Sequence, residues 1–324
     1  MFEGFELRSF DTGEATIRAR VGGSGPPVLL LHGHPQTHVM WHLVAPVLAR
    51  ELTVVAADLR GYGGSSKPPS TPDHEPFSKR ALARDHVSLM RELGFDRFSV
   101  AGHDRGGYSA YRLALDHPER VERLAVLDIV PAGEAWCRAD TRFMLGWWHW
   151  AFLAQPAPLA ERLLAADPEA YYFRGDRTIF HPEALAEYLA AIHDSETRRA
   201  MIEDYRANAT LDRAADDADR SAGRRIGCPT LLLWARGDDL EELYGDPLAV
   251  WRDWADDLQG RGLDCGHYLA EEAPEETEPS SCASSLARPG LARGRWIQVL
   301  ARVTEGPDPP PARVQPNAEI CTGG

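Results

Sequence analysis

The stretch Phe98-Ser99-Val100-Ala101-Gly102-His103-Asp104-Arg105-Gly106-Gly107 decides how this chain is read. Residues 98–101 are the short apolar run of a buried strand. Small residues at 102 and 106 bracket Asp104, and a helical pattern follows through Leu115. A strand ending in small-x-nucleophile-x-small that turns straight into a helix presents its central side chain on a tight, strained turn. Serine is the usual occupant, and here it is aspartate. A serine that attacked an sp³ carbon would make an ether, which water does not cleave. A carboxylate attacking the same carbon makes an ester, which water cleaves readily. Asp104 as nucleophile therefore points to carbon–halogen or epoxide substrates and away from ordinary esters.

Outward from this turn, strand and helix patterns alternate. Residues 5–9 and 15–21 read as a strand pair around Asp11-Thr12-Gly13. Pro27–Leu31, 52–57 and Val121–Leu127 are unbroken apolar runs, the mark of strands buried on both faces. Residues 80–93 carry helical spacing and stop at Gly94. The alternation predicts an α/β protein with a mostly parallel central sheet. After Pro131 come about ninety residues of helical, aromatic-rich sequence without a buried strand. An insertion here would cover the carboxyl ends of the strands as a cap. The sheet resumes at 229–234, with a last strand at Leu258–Leu263. The expected division is a first core part over 1–130, a helical cap over 131–225 and a second core part over 226–276. The Pro-, Gly-, Ser- and Arg-rich segment 277–324 reads as an atypical, disordered tail, and apolar sheet surface would be left exposed unless 296–303 substitutes for a last helix.

The 324 residues carry a net charge of −14, and no basic cluster offsets it, which argues against a nucleic-acid partner. Five scattered cysteines without a CxxC pair suit a reducing cytoplasm. The first nine residues lack a basic start and an apolar stretch, so no signal peptide is expected. No apolar run approaches about 18 residues, so no membrane span is expected.

A nucleophilic site also needs a base, an orienting acid and donors for developing negative charge. His267, in Asp264-Cys265-Gly266-His267-Tyr268, is the last histidine and follows the last strand. Asp104 is already ionised at neutral pH, so the task of His267 is to activate water against the ester. Two positions offer the acid. Asp128 ends the strand after the elbow helix; Asp238 and Asp239 follow the strand at 229–234. Asp128 is preferred, and the pair stays open. In His32-Gly33-His34-Pro35, the N–H of His34 joins that of Arg105 as a candidate oxyanion hole. The Arg105 guanidinium is a candidate for binding a substrate carboxylate, or else for an ion pair that holds Asp104.

Together these residues resemble the fluoroacetate (haloacetate) dehalogenases, a branch of the α/β-hydrolases. The resemblance runs from about Val21 to Pro274. It includes His32-Gly33-His34-Pro35-Gln36-Thr37-His38, Gly102-His103-Asp104-Arg105-Gly106, Ala125-Val126-Leu127-Asp128, His149-Trp150, Glu203-Asp204-Tyr205-Arg206 and Gly266-His267. The chain order nucleophile, acid, histidine is also that of the α/β-hydrolases. The resemblance implies an α/β-hydrolase fold with a helical cap and no metal or organic cofactor. It also implies a cytoplasmic homodimer acting on a small molecule. Asp104 would displace halide, His267 oriented by Asp128 would deliver water, Arg105 would bind the substrate carboxylate, and His149, Trp150 and Tyr205 would stabilise the halide. The family places a second arginine three residues after the first to complete the carboxylate clamp. Here that position is Tyr108, whose phenol can donate one hydrogen bond and carries no charge. The segment between Trp150 and Tyr205 is also several residues shorter than the family's usual spacing.

The leading expectation is hydrolysis of a short 2-haloacid to a 2-hydroxyacid. Epoxide hydrolysis uses the same Asp–His–Asp chemistry and needs cap tyrosines, which Tyr171, Tyr172, Tyr188 and Tyr205 could supply. Arg105 counts against it, because epoxide hydrolases usually carry tryptophan there. A non-catalytic binding protein on the same fold is the third alternative.

Overall fold

The computed structural model describes residues 1–274, so the tail expected over 277–324 lies outside the described residues. Eight strands form one sheet: β1 (Glu6–Asp11), β2 (Thr16–Gly23), β3 (Pro27–Leu31), β4 (Thr53–Ala57), β5 (Phe98–His103), β6 (Val121–Leu127), β7 (Thr230–Ala235) and β8 (Leu258–Leu263). Their order is β1-β2-β4-β3-β5-β6-β7-β8. The two pairings at the β1 edge are antiparallel and the remaining five are parallel. The continuous apolar runs occupy the middle of the sheet. Every residue of β5 and β7 is buried, because helices cover both faces of a parallel sheet. The outer hairpin strand β1 buries only Phe10.

Two helices bracket the sequence that matters most. Helix α1 (Lys79–Glu92) starts where the Ser78 hydroxyl accepts the Ala81 N–H at 3.2 Å. Helix α2 (Arg105–Asp116) begins directly after Asp104. They pack together, with His86 Nε2 2.9 Å from the Ser109 hydroxyl between them.

Among the described residues, every regular element between Leu127 and Thr230 is helical. The helices of this insertion used below are α3 (Trp148–Leu153), α4 (Pro168–Tyr172), α5 (Pro182–His193) and α6 (Ser195–Ala207). A short helix, α7 (Leu269–Glu272), follows the last strand.

Register sets the site. Leu31 lies opposite Gly102, His103 opposite Leu127, Leu127 opposite Leu233 and Ala235 opposite Leu263. The ladder continues one residue further: Asp104 N–H donates to the Leu127 carbonyl at 3.1 Å, and Asp128 N–H to the Leu233 carbonyl at 2.8 Å. Five strands thus end at one edge, where open α/β sheets gather their functional side chains. None of the described helices is long and apolar enough to cross a membrane.

Candidate active site

The elbow at Asp104 has φ 45° and ψ −117°, a conformation that costs a non-glycine residue about 1–3 kcal/mol. Close approach of backbone demands the flanking small residues. A Cβ on Gly102 would lie 2.3 Å from the Gly106 carbonyl oxygen, and one on Gly106 would lie 2.4 Å from that of Leu31. The strand-end loop after β3 also presses on the turn: a Cβ on Gly33 would meet His103 Nδ1 at 2.6 Å. This proximity brings the next residue's N–H to Asp104, and His34 N donates to Asp104 Oδ1 at 2.7 Å. Burial opposes ionisation of Asp104. The charges of His267 and Arg105, together with the His34 bond, overcome it and hold the carboxyl below its usual range.

His267 stands in the loop after β8. Its Nδ1 lies 2.7 Å from Asp128 Oδ2 and 3.1 Å from Asp238 Oδ2. Both acids weighed from the sequence therefore reach the same ring nitrogen. Asp128 is almost wholly buried, and its other oxygen, Oδ1, accepts the Ala235 N–H at 2.9 Å. Asp239 turns away, accepting the Trp147 indole N–H at 2.8 Å. Burial alone would depress the His267 imidazole, but its bonds to Asp128 and Asp238 and their charges hold it well above the ordinary value. Neighbouring imidazoles go the other way: burial pushes His34 and His103 down to about 3 and His149 down to about 4.

Two cavities, of about 160 and 240 Å³, meet at Asp104, His149, Arg174 and His267. The smaller is walled by His34, Tyr171, Tyr172 and Tyr205, the larger by Tyr108, Trp147, Trp150 and Asp238. The expected halide group is thus brought together around Asp104: the His149 and Tyr205 rings lie 5.7 Å apart, and the Trp150 and Tyr205 rings 6.4 Å apart.

Arg105 is placed differently from the expectation of a guanidinium open to substrate. It is fully buried and lines neither cavity. Its Nε donates to Asp204 Oδ2 at 2.7 Å and its Nη2 to the Asp204 carbonyl at 3.1 Å. The guanidinium carbon lies 4.3 Å from the Tyr205 ring centre and 5.2 Å from that of Tyr108. Its partner is Asp204 on α6, not Asp104. Lys79 and Tyr62 also bond Asp204, the latter at 3.0 Å. Tyr108 does line the larger cavity, with its hydroxyl buried and unpartnered.

Sequence reasoning missed Asp204 and Arg174. Asp204 adjoins Tyr205, but nothing local tells a buried counter-ion from a surface acid. Arg174 sits in Tyr171-Tyr172-Phe173-Arg174 of the cap, with no motif around it.

Among the described residues, two sets of side chains bring ligating atoms within 4.8 Å of one another: His38, Asp58 and Glu187, and Asp128, Asp238 and His267. Each has a cation or donor of its own. Arg18 bonds both Asp58 and Glu187, and His267 bonds both aspartates.

A family model for the α/β-hydrolase fold matches residues 26–274. Over 284 residues the chain is 45% identical to a fluoroacetate dehalogenase of Burkholderia sp., covering 86% of this chain and 92% of that one. It is 33% identical over 266 residues to a soluble epoxide hydrolase of Corynebacterium sp. strain C12, covering 78% and 87%. The crystal structure of a Nostoc sp. PCC 7120 protein assigned to the α/β-hydrolases superposes with a TM-score of 0.83 at 49% identity, covering 85% of this chain and 96% of that one. The chain therefore belongs to the α/β-hydrolases, as a hydrolase of the group that spans fluoroacetate dehalogenases and epoxide hydrolases.

Proposed function

We propose that this hydrolase is a dehalogenase that converts a short 2-haloacid to the 2-hydroxyacid through an ester on Asp104. The observation that carries the reading is the bond from His34 N–H to Asp104 Oδ1. It assigns separate work to the two carboxylate oxygens. Oδ1 already occupies the place where negative charge gathers when the ester is attacked, so Oδ2 is the attacking atom. Oδ2 forms a bond to the carbon bearing the halogen, and the carbon–halogen bond breaks with its electron pair leaving on halide. His149, Trp150 and Tyr205 offer N–H and O–H donors for that ion. Water then attacks Cγ of Asp104 and gives a proton to Nε2 of His267. The oxyanion on Oδ1 is met by the N–H groups of His34 and Arg105. Collapse frees the hydroxyacid, which takes a proton from His267, and restores the Asp104 carboxylate. The sum is one water consumed and one halide and one proton released.

Loss of the Asp104 charge on esterification assists the second half. The carboxylate and the His267 imidazolium stabilise each other electrostatically, so an esterified Asp104 lowers the affinity of His267 for its proton.

Epoxide hydrolysis is the second reading, favoured by one observation. The hydroxyls of Tyr171 and Tyr172 are buried and unpartnered, and both side chains line the smaller cavity with Asp104. Either could donate the proton that an opening epoxide ring takes up on oxygen.

The test is a panel of fluoro-, chloro- and bromoacetate and a simple epoxide, given to wild type and to His267→Ala. Halide release by wild type, with a carboxymethyl ester on Asp104 trapped in the variant, supports the dehalogenase. An adduct formed only from the epoxide supports the second reading. No adduct from any member overturns the nucleophilic role of Asp104.

A further inference from the structure

We propose that Arg174, on the cap, supplies a positive charge that recognises a substrate carboxylate, so that the acid group is held from the cap side of the nucleophile. The inference rests on the dehalogenase reading for what is turned over, though not for what is bound.

The floor offers one cation, and most of it is taken up. Arg105 is held by Asp204 through Nε and Nη2, packs against the rings of Tyr205 and Tyr108, lines neither cavity, and keeps only Nη1 without a partner. Tyr108, the residue three positions further on, carries no charge. The cavities themselves are acidic: Asp104, Asp128, Asp238 and Asp239 all contribute to the lining of the larger one. His34 and His149 stay neutral because burial depresses them. His267 is the one imidazole held towards its charged form, and two carboxylates already bond it. An organic anion approaching Asp104 therefore meets like charge unless another cation faces it.

Arg174 is the only arginine or lysine in the lining of these two cavities, and it belongs to both. Its guanidinium carbon lies 5.1 Å from the Trp148 ring centre and 5.9 Å from that of Tyr171, so aromatic faces orient it. It differs in this from Arg177, three residues on, whose charge Glu169 takes up at 2.7 Å. No carboxylate among the described residues forms an ion pair with Arg174. A planar guanidinium without a counter-ion, at the junction of two cavities that share the nucleophile, fits a carboxylate in a two-pronged bond. The substrate class that follows is a monocarboxylate whose reacting carbon faces Asp104 while its acid group faces the cap.

The test compares wild type, Arg174→Gln and Arg174→Lys on chloroacetate and on chloroacetamide, its uncharged counterpart, and measures propionate binding to each by calorimetry. The proposal expects KM for chloroacetate to rise about tenfold or more in Arg174→Gln. It expects kcat and KM for chloroacetamide to stay within about twofold, and Arg174→Lys to recover part of the loss. Equal losses on acid and amide would mean that Arg174 only shapes the cap and would overturn the proposal; so would an unchanged KM for the acid. If wild type releases no halide from either compound, the dehalogenase reading fails and the propionate arm decides. Binding weakened in Arg174→Gln upholds the anion site, while equal binding in both proteins, or none in wild type, removes it.

Discussion

At His267 two carboxylates share one ring nitrogen, and their unequal settings assign them different work. Asp128 is the nearer, is buried, and is fixed by the Ala235 N–H, so it can hold the ring in one orientation. Asp238 is about a third exposed, stands 3.1 Å away, and mainly adds negative charge. As a base, His267 works only when neutral, so the acid limb of the kcat profile should lie above the ordinary imidazole value of about 6.5. Asp238→Asn removes a charge that favours the imidazolium. That limb should then move to lower pH, read from kcat against pH with a substrate of the wild type. Asp128→Asn should instead lower kcat by about a thousandfold or more at every pH, because the ring loses its orientation. If the two variants behave alike, the division of labour is wrong.

The elbow acts as an element, and its glycines matter for space and not for chain flexibility. In Gly106→Ala the new Cβ would meet two backbone oxygens, 2.4 Å away on Leu31 and 2.6 Å away on His32. Neither can rotate aside as a side-chain end would, so α2 must shift away from β3. The expected cost is about 1–3 kcal/mol, seen as a lower urea midpoint. Activity should fall further, because the same shift moves Asp104 away from the His34 N–H. A variant with wild-type stability and turnover would show that the approach can be relaxed. The elbow was legible in the sequence for the reason that makes it fragile: only small residues fit, and they stand at fixed offsets from Asp104. The central strands were legible because burial on both faces leaves unbroken apolar runs, such as Val121–Leu127. Arg105 was legible as a residue but not as a placement. Its side chain is claimed by Asp204, about a hundred residues away, and no local pattern reports a partner at that separation. The choice between Asp128 and Asp238 was open for a similar reason. Both follow strand ends in adjacent strands, and only the register shows that both reach His267.

At the scale of the whole molecule, one of the buried acids that tie the cap to the core is Glu271. Glu271, on α7 close behind His267, accepts hydrogen bonds from Tyr188 on α5 and from Gln36, two residues beyond His34. Burial pushes the Glu271 carboxyl up to about 8, against those two bonds and with some help from the charge of Glu272. In the unfolded chain a glutamate titrates near 4.3. Between about 4.3 and about 8, then, the folded protein binds a proton that the unfolded chain has lost, and stability falls as pH rises through that window. Glu271→Gln cannot ionise and escapes this loss. Its amide also has an acceptor waiting, since the side-chain oxygen of Gln36 is buried without a partner. The two proteins should unfold at similar urea concentrations near pH 5. Near pH 8 the variant should be the more stable by about 2–4 kcal/mol. Parallel stability curves across that range would mean that Glu271 gains no proton on folding. A variant less stable at both ends would mean that the bonds from Tyr188 and Gln36 need a carboxylate, so that cap and core are joined by its charge.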